Sequence, residues 1–182
     1  MMTELDIWAD APLAPLHWTS LTTDVGRIHV AFRVLCPAFV SLDTRTAFEA
    51  FLHSRLGDTV VFVPRLPPVL RARVHATVDE GKPYKGPLDL GHQTDFSRQV
   101  LEVTRAIPLG ETRTYGDIAI QIGHPRAARA VGTALSKNPV PLLIPCHRVI
   151  GAHERLGHYS DGGAPMKRRL LAHEGVAVDS LR

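Results

Sequence analysis

Thr114 and Asp117 stand three residues apart ahead of an apolar stretch, the spacing of a capping box. They open a predicted helix that runs to Gly123. Pro125 sits at the start of a second predicted helix, Arg126–Ser136, with Ala128, Val131 and Leu135 facing inward, and Asn138-Pro139 stops it. Two short helices joined across Gly123-His124 make a helix-turn-helix pattern, and the chain around them has to build a scaffold for that pair.

The rest of the second half reads as helix and loop. Asp95 opens a helix with Phe96, Val100, Val103 and Ile107 on one stripe, and Pro108 and Gly110 close it. Leu142-Leu143-Ile144 reads as a short buried strand that delivers Pro145-Cys146. A last helix is expected from Pro165 to His173, ended by Gly175.

The first half reads as α/β. Leu16–Thr23 and Arg27–Val34 are β-rich runs around a hairpin turn at Asp24-Val25-Gly26. Asp43 is the expected cap of a helix that carries Ala47, Phe48, Phe51 and Leu52 on one face, and Gly57 stops it. Thr59–Val63 is a short β-branched run. A second helix starts at Pro67-Pro68, carries Leu70, Val74 and Val78, and ends by Gly81. Gly81–Leu90, broken by Pro83, Gly86 and Pro87, reads as a linker with one short strand. The division expected is a small α/β unit over residues 1–92 and a mainly α unit over 93–182.

Bulk properties exclude several classes. An apolar fraction of 45% is enough for a sizeable core. No apolar run approaches the roughly 20 residues that span a bilayer, so no membrane partner is expected. Met1–Leu13 carries Glu4, Asp6 and Asp10 with no basic start, which argues against a secretory signal. Two cysteines far apart in sequence do not make a disulfide framework, and a cytoplasmic location is expected. Residues 1–93 hold 9 Lys/Arg against 10 Asp/Glu, whereas residues 94–182 hold 12 against 8, a net of +4. A modest positive lobe suits an anionic partner such as a phosphate backbone, and equally a solvated surface.

Cys146 is the main candidate for chemistry. An apolar run and a proline precede it, and His147 and Arg148 follow. The thiolate is the reactive form of cysteine, and neighbouring His and Arg charge is expected to lower the thiol pKa. A lone cysteine with a histidine partner is a candidate nucleophile, although a small buried apolar filler fits the same neighbourhood. Cys36, with only Arg33 as a charged neighbour, reads as such a filler.

Ile144-Pro145-Cys146-His147-Arg148-Val149 resembles the active-site signature of the O6-alkylguanine-DNA alkyltransferases, the methylated-DNA–protein-cysteine methyltransferases. Thr114 to Ala119, Pro125 to Gly132, Asn138-Pro139, Tyr159-Ser160 and Leu170 to Gly175 follow in that family's order and spacing. The likeness is close over residues 94–176 and holds in outline over 14–92. It implies a ribonuclease H-like N-terminal domain, a small sheet with helices, followed by a mainly α domain with a helix-turn-helix. It implies irreversible, single-turnover transfer of an alkyl group from O6-alkylguanine in duplex DNA to Cys146, with O4-alkylthymine as a further candidate substrate. It also implies a monomer able to cluster on DNA.

The resemblance assigns roles residue by residue. The second helix of the pair would enter the minor groove, with Ala127, Ala128 and Gly132 small enough for close approach. Arg129 would fill the space left by the flipped base, and Arg126 would contact phosphate. His147, oriented by Glu174, would take the Cys146 proton through a water. Tyr115 would donate to the guanine ring as charge develops on it. The carbonyls of Cys146 and Val149 would receive the exocyclic amine, and the Ser160 N–H would meet O6. Asn138 would order the turn before the active-site strand, and Pro141 and Tyr159 would complete the pocket.

Two departures stand out. The loop Gly157–Gly163 is one residue longer than the usual family spacing, with Asp161 as the extra residue. Some members also bind structural zinc through two Cys and two His. Here Cys36 is the one cysteine of the first half and His17 and His29 fall on predicted strands, so neither metal nor cofactor is expected. Two other function classes compete. A damage sensor that binds without transfer would lack the reactive cysteine, and a cysteine hydrolase would have no use for the helix pair or Arg129.

Overall fold

The structure, a computed structural model, describes residues 15–57, 60–91 and 93–181. The N-terminal stretch considered for a signal, Thr59 and His92 lie outside the described residues.

Strands β1 (Leu16–Thr23) and β2 (Gly26–Arg33) pair antiparallel around Asp24-Val25, with Thr23 opposite Gly26. A strand that sequence reading did not identify, β3 (Cys36–Ser41), pairs antiparallel with β2, and β4 (Val60–Phe62) runs parallel to β1. The sheet order is β3-β2-β1-β4. Pro37 is tolerated because β3 is an edge strand. The edge is not left open: Pro37 O accepts from Asp89 N–H at 2.9 Å, and Val40 N–H donates to Pro139 O at 2.8 Å.

Alternation along the strands builds two apolar layers. Leu16, Trp18, Ala31 and Phe39 bury one face against Phe48 and Leu52 of α1 (Arg45–Leu56). The cap of α1 is Thr44 rather than Asp43, because it is the Thr44 hydroxyl that accepts from Ala47 N–H, and Phe51 of the expected face is exposed. The other face, with Ile28, Val30, Phe32 and Val40, shares a core with Leu70 and Val74 of α2 (Pro68–Val78) and with residues of the second half. The segment after α2 contains no strand among the described residues. It is pinned instead, with Tyr84 buried and the Arg105 guanidinium donating to the carbonyls of Tyr84 and Gly86 at 2.7 and 2.8 Å.

In the second half, α3 (Asp95–Arg105) buries Val100, Leu101 and Thr104 and ends before Ile107. Two residues of β5 (Arg113–Thr114) pair in parallel with β6 (Val149–Ile150), a small sheet that sequence reading also missed. The capping box is present at the start of α4 (Tyr115–Gln121). Helix α5 spans Ala128–Ser136, two residues later than the predicted start at Arg126. Ala127 N–H is taken by His124 O in a preceding turn, and the helical ladder begins with Val131 N–H donating to Ala127 O. Helices α3, α4 and α5 pack on one another, and α6 (Gly163–His173) closes the chain.

Leu142–Ile144 is buried as expected but is no strand. Leu142 takes a φ of 71°, and Ile144 N–H folds back onto Val140 O at 3.0 Å, so the segment is a tight turn. Cys146 follows in a single 3-10 turn, Cys146–Arg148. Among the described residues, no helix is long and apolar enough to cross a membrane.

Candidate active site

Cys146 lies at the junction of the buried turn and β6 and is only 7% exposed. Its sulfur borders a cavity of about 320 Å³ whose wall includes Tyr115, Arg129, Gly132, Tyr159 and Ser160. Helix α5 supplies Arg129 and Gly132, the first turn of α4 supplies Tyr115, and the loop before α6 supplies Tyr159 and Ser160. Arg129 is exposed at the mouth and has no side-chain partner among the described residues. Arg126 is exposed too, while Ala127 and Ala128 are half-buried where α5 begins; none of these three lines the cavity.

Asn138 organises the turn. Its amide N–H2 donates to Ile144 O at 2.9 Å and to Cys146 Sγ at 3.2 Å, and its oxygen accepts from Val140 N–H at 3.1 Å. Pro141 is buried in this turn and borders, with Asn138, a neighbouring cleft of about 570 Å³ whose rim at Ser136 and Ser160 is shared with the Cys146 cavity. The Val149 carbonyl faces an amine already, because it accepts from Lys167 Nζ at 2.6 Å.

Behind the thiol is a buried charge network. His147 Nε2 lies 2.8 Å from Glu174 Oε1, and Arg148 grips both carboxylate oxygens, each at 2.9 Å. Arg148 also donates to Ile107 O at 2.6 Å, which leaves its charge committed away from the thiol. Burial by itself would raise the Glu174 carboxyl, but the hydrogen bonds and charge of His147 and Arg148 win and hold it at about 2. With Glu174 ionised and burial lowering the imidazole pKa, the consistent tautomer carries its proton on Nε2. Nδ1, buried and without a partner among the described residues, then presents a free lone pair.

Burial pushes the Cys146 thiol up to about 11, against the Asn138 hydrogen bond and the Lys167 charge, which both favour the thiolate. This corrects the sequence expectation of a lowered thiol pKa. Burial disfavours the charged form of His147 and Arg148 is paired with Glu174, so desolvation dominates. Tyr115 and Tyr159 are likewise raised, first by burial and then by the nearby Cys146.

Lys167 was not anticipated. It is fully buried in α6, its Nζ lies 5.9 Å from the Tyr115 ring centroid, and burial lowers its pKa to about 8. The signal was present: Lys167 falls three and four residues before Leu170 and Leu171, on the apolar stripe of α6. Gly157 was also passed over. Its φ is 73°, and a Cβ there would stand 3.1 Å from the Tyr115 hydroxyl, so any side chain at this position would strain the backbone and crowd the tyrosine. His17 and His29 do lie on strands, and His29 is bonded to the Ser20 hydroxyl at 2.8 Å.

Comparison with known proteins places this arrangement. The family model "6-O-methylguanine DNA methyltransferase, DNA binding domain" matches residues 95–176. The methylated-DNA–protein-cysteine methyltransferase of Mus musculus is 52% identical over 85 residues, 46% of this chain and 40% of the mouse protein. The match therefore spans less than half the length of that relative. The fold likeness is broader. Mycobacterium tuberculosis OGT, solved in complex with DNA, superposes with a TM-score of 0.70 at 32% identity, covering 91% of this chain and 94% of that one. The O6-methylguanine-DNA methyltransferase of Pyrococcus kodakaraensis has the same fold, with a TM-score of 0.68 over 88% of this chain and 99% of its own. With a likeness that runs through both halves and is strongest around Cys146, the chain belongs to the methylated-DNA–protein-cysteine methyltransferase family.

Proposed function

We propose that this protein repairs DNA by direct reversal, moving the alkyl group from O6 of guanine to Cys146 Sγ. The observation that carries this reading is the thiol beside a base-sized cavity, with Tyr115 and α5 on its wall and the His147–Glu174 pair behind. The sulfur attacks the alkyl carbon as the carbon–O6 bond breaks. The bonding electrons leave with guanine, which takes up one proton, and a thioether remains on Cys146.

A thiol held near 11 is almost wholly protonated at neutral pH, so a base has to take its proton. His147 Nδ1 is that base, reached through a water, and Glu174 orients the ring through Nε2. Lys167 stabilises the thiolate as it forms, and Tyr115 donates to the guanine ring as negative charge develops. The Cys146 and Val149 carbonyls receive the exocyclic amine, and Ser160 N–H meets O6.

The alkyl carbon is hidden inside a duplex, so the nucleotide is rotated out of the stack. Helices α4 and α5 act as a helix-turn-helix with α5 in the minor groove. Ala127, Ala128 and Gly132 allow close approach, Arg129 fills the vacated space and Arg126 binds phosphate. Residues 1–92 form the ribonuclease H-like domain, a reading supported by the 3-2-1-4 sheet, and residues 93–182 the transfer domain. The protein is read as a cytoplasmic monomer able to cluster on alkylated duplex, with O4-alkylthymine as a further candidate substrate.

Cys146→Ser is expected to abolish transfer from an O6-methylguanine duplex, read by intact-protein mass, while DNA binding stays within about threefold because phosphate contacts lie elsewhere. Transfer to Cys36 in this variant would overturn the assignment.

A further inference from the structure

The end of β3 touches both chain segments that flank Cys146. On one side, Val40 N–H donates to Pro139 O at 2.8 Å, next to Asn138, which holds the sulfur. On the other side, Asp161 reaches back from the substrate-facing loop across some 120 residues of sequence. Its Oδ1 accepts from the Ser41 hydroxyl at 3.2 Å and its Oδ2 from Leu42 N–H at 2.8 Å. Asp161 is 8% exposed and has no cation partner among the described residues. A buried carboxylate of this kind depends on its hydrogen bonds, so the two donors and the loop hold one another in register.

The loop has few backbone bonds of its own. Gly157, Gly162 and Gly163 take φ of 73°, 91° and 70°, and its one internal backbone bond is Gly163 N–H to Tyr159 O at 3.1 Å. Tyr159 and Ser160, which line the Cys146 cavity, immediately precede Asp161.

We propose that Asp161 is a positioning residue that clamps the substrate-facing loop to the end of β3, so that the N-terminal sheet sets where Tyr159 and Ser160 stand relative to Cys146. The inference rests on reading this cavity as the base pocket. It gives the first half a direct part in the reaction geometry, through Ser41 and Leu42.

The test uses the full chain with Asp161→Ala, Asp161→Asn and Ser41→Ala. Amide hydrogen exchange over residues 157–163, without substrate, is expected to quicken about tenfold in Asp161→Ala, because a loop held by one fewer anchor opens more often. The transfer rate to an O6-methylguanine duplex is expected to fall by a similar factor. Asp161→Asn keeps an acceptor for Leu42 N–H and can donate to the Ser41 oxygen, so both readouts are expected to return to within about threefold of wild type. Ser41→Ala, which removes one donor and leaves the loop sequence intact, gives an intermediate value even if Asp161→Ala fails to fold. Wild-type exchange in Ser41→Ala and Asp161→Ala, or an Asn variant as loose as the Ala variant, would overturn the clamp. Failure of wild type to transfer would reject the base-pocket reading, whereas exchange tests the clamp alone.

Discussion

At Cys146 burial outweighs neighbouring charge, and that balance can be titrated. Thiolate absorbance in a Cys36→Ser background is expected to rise near pH 11. Lys167→Met is expected to leave that midpoint nearly unchanged, since the amine is already neutral when the thiol titrates, and to lower the thiolate fraction below pH 8, where the cation favours it. Lys167 itself has a pKa near 8, so wild type loses part of this help as pH climbs through that value. A Cys146 midpoint below the ordinary thiol value of about 8.5 would contradict the desolvated site. Glu174 carries the opposite shift. Its folded pKa, about 2, lies below its unfolded one, so its stabilisation is full above pH ~4.3 and is lost as pH falls toward 2. Glu174→Gln leaves Arg148 buried with a neutral partner and is expected to cost about 3–5 kcal/mol at pH 7. In urea unfolding the gap to wild type narrows below pH ~4; a gap independent of pH would contradict the ion network. Cys146, His147 and Glu174 were legible because a contiguous signature and a helix-end motif carry them. Lys167 and Asp161 were not, because a charge reads as surface until its neighbours in space are known.

At the scale of elements, α5 is the part that meets DNA in this account. Arg129→Ala is expected to slow repair of a duplex roughly tenfold to a hundredfold, since holding a base out of the stack costs a few kcal/mol. Reaction with free O6-benzylguanine needs no flipping and is expected to stay within about twofold. Equal loss on both substrates would make Arg129 a pocket support. Periodicity and capping located α1, α2, α3 and α4 to within a few residues, since each has an apolar stripe and a punctuated end. It failed for β3, where Pro37 breaks the strand signal and edge position makes it tolerable. It also failed at Leu142–Ile144, where an apolar run looks the same as strand or buried turn. There the side chains of Asn138 and the backbone of Val140 decide for the turn.

At the scale of the whole molecule, the two halves share one apolar core and meet at β3. The positive excess lies in residues 94–182, the half that contains both α5 and Cys146, so in the proposed function attraction to phosphate and the thiol are carried together. The half with the thiol offers no second cysteine, and Cys36 stands on β3. A thioether resists water under mild conditions, so each chain is expected to react once. The direct measurement is a titration of the protein with excess O6-methylguanine duplex, followed by intact mass and peptide mapping. The account predicts one methyl per chain, on Cys146, and repair that stops at one lesion per protein. More than one lesion repaired per chain, or repaired DNA beside unmodified Cys146, would contradict it.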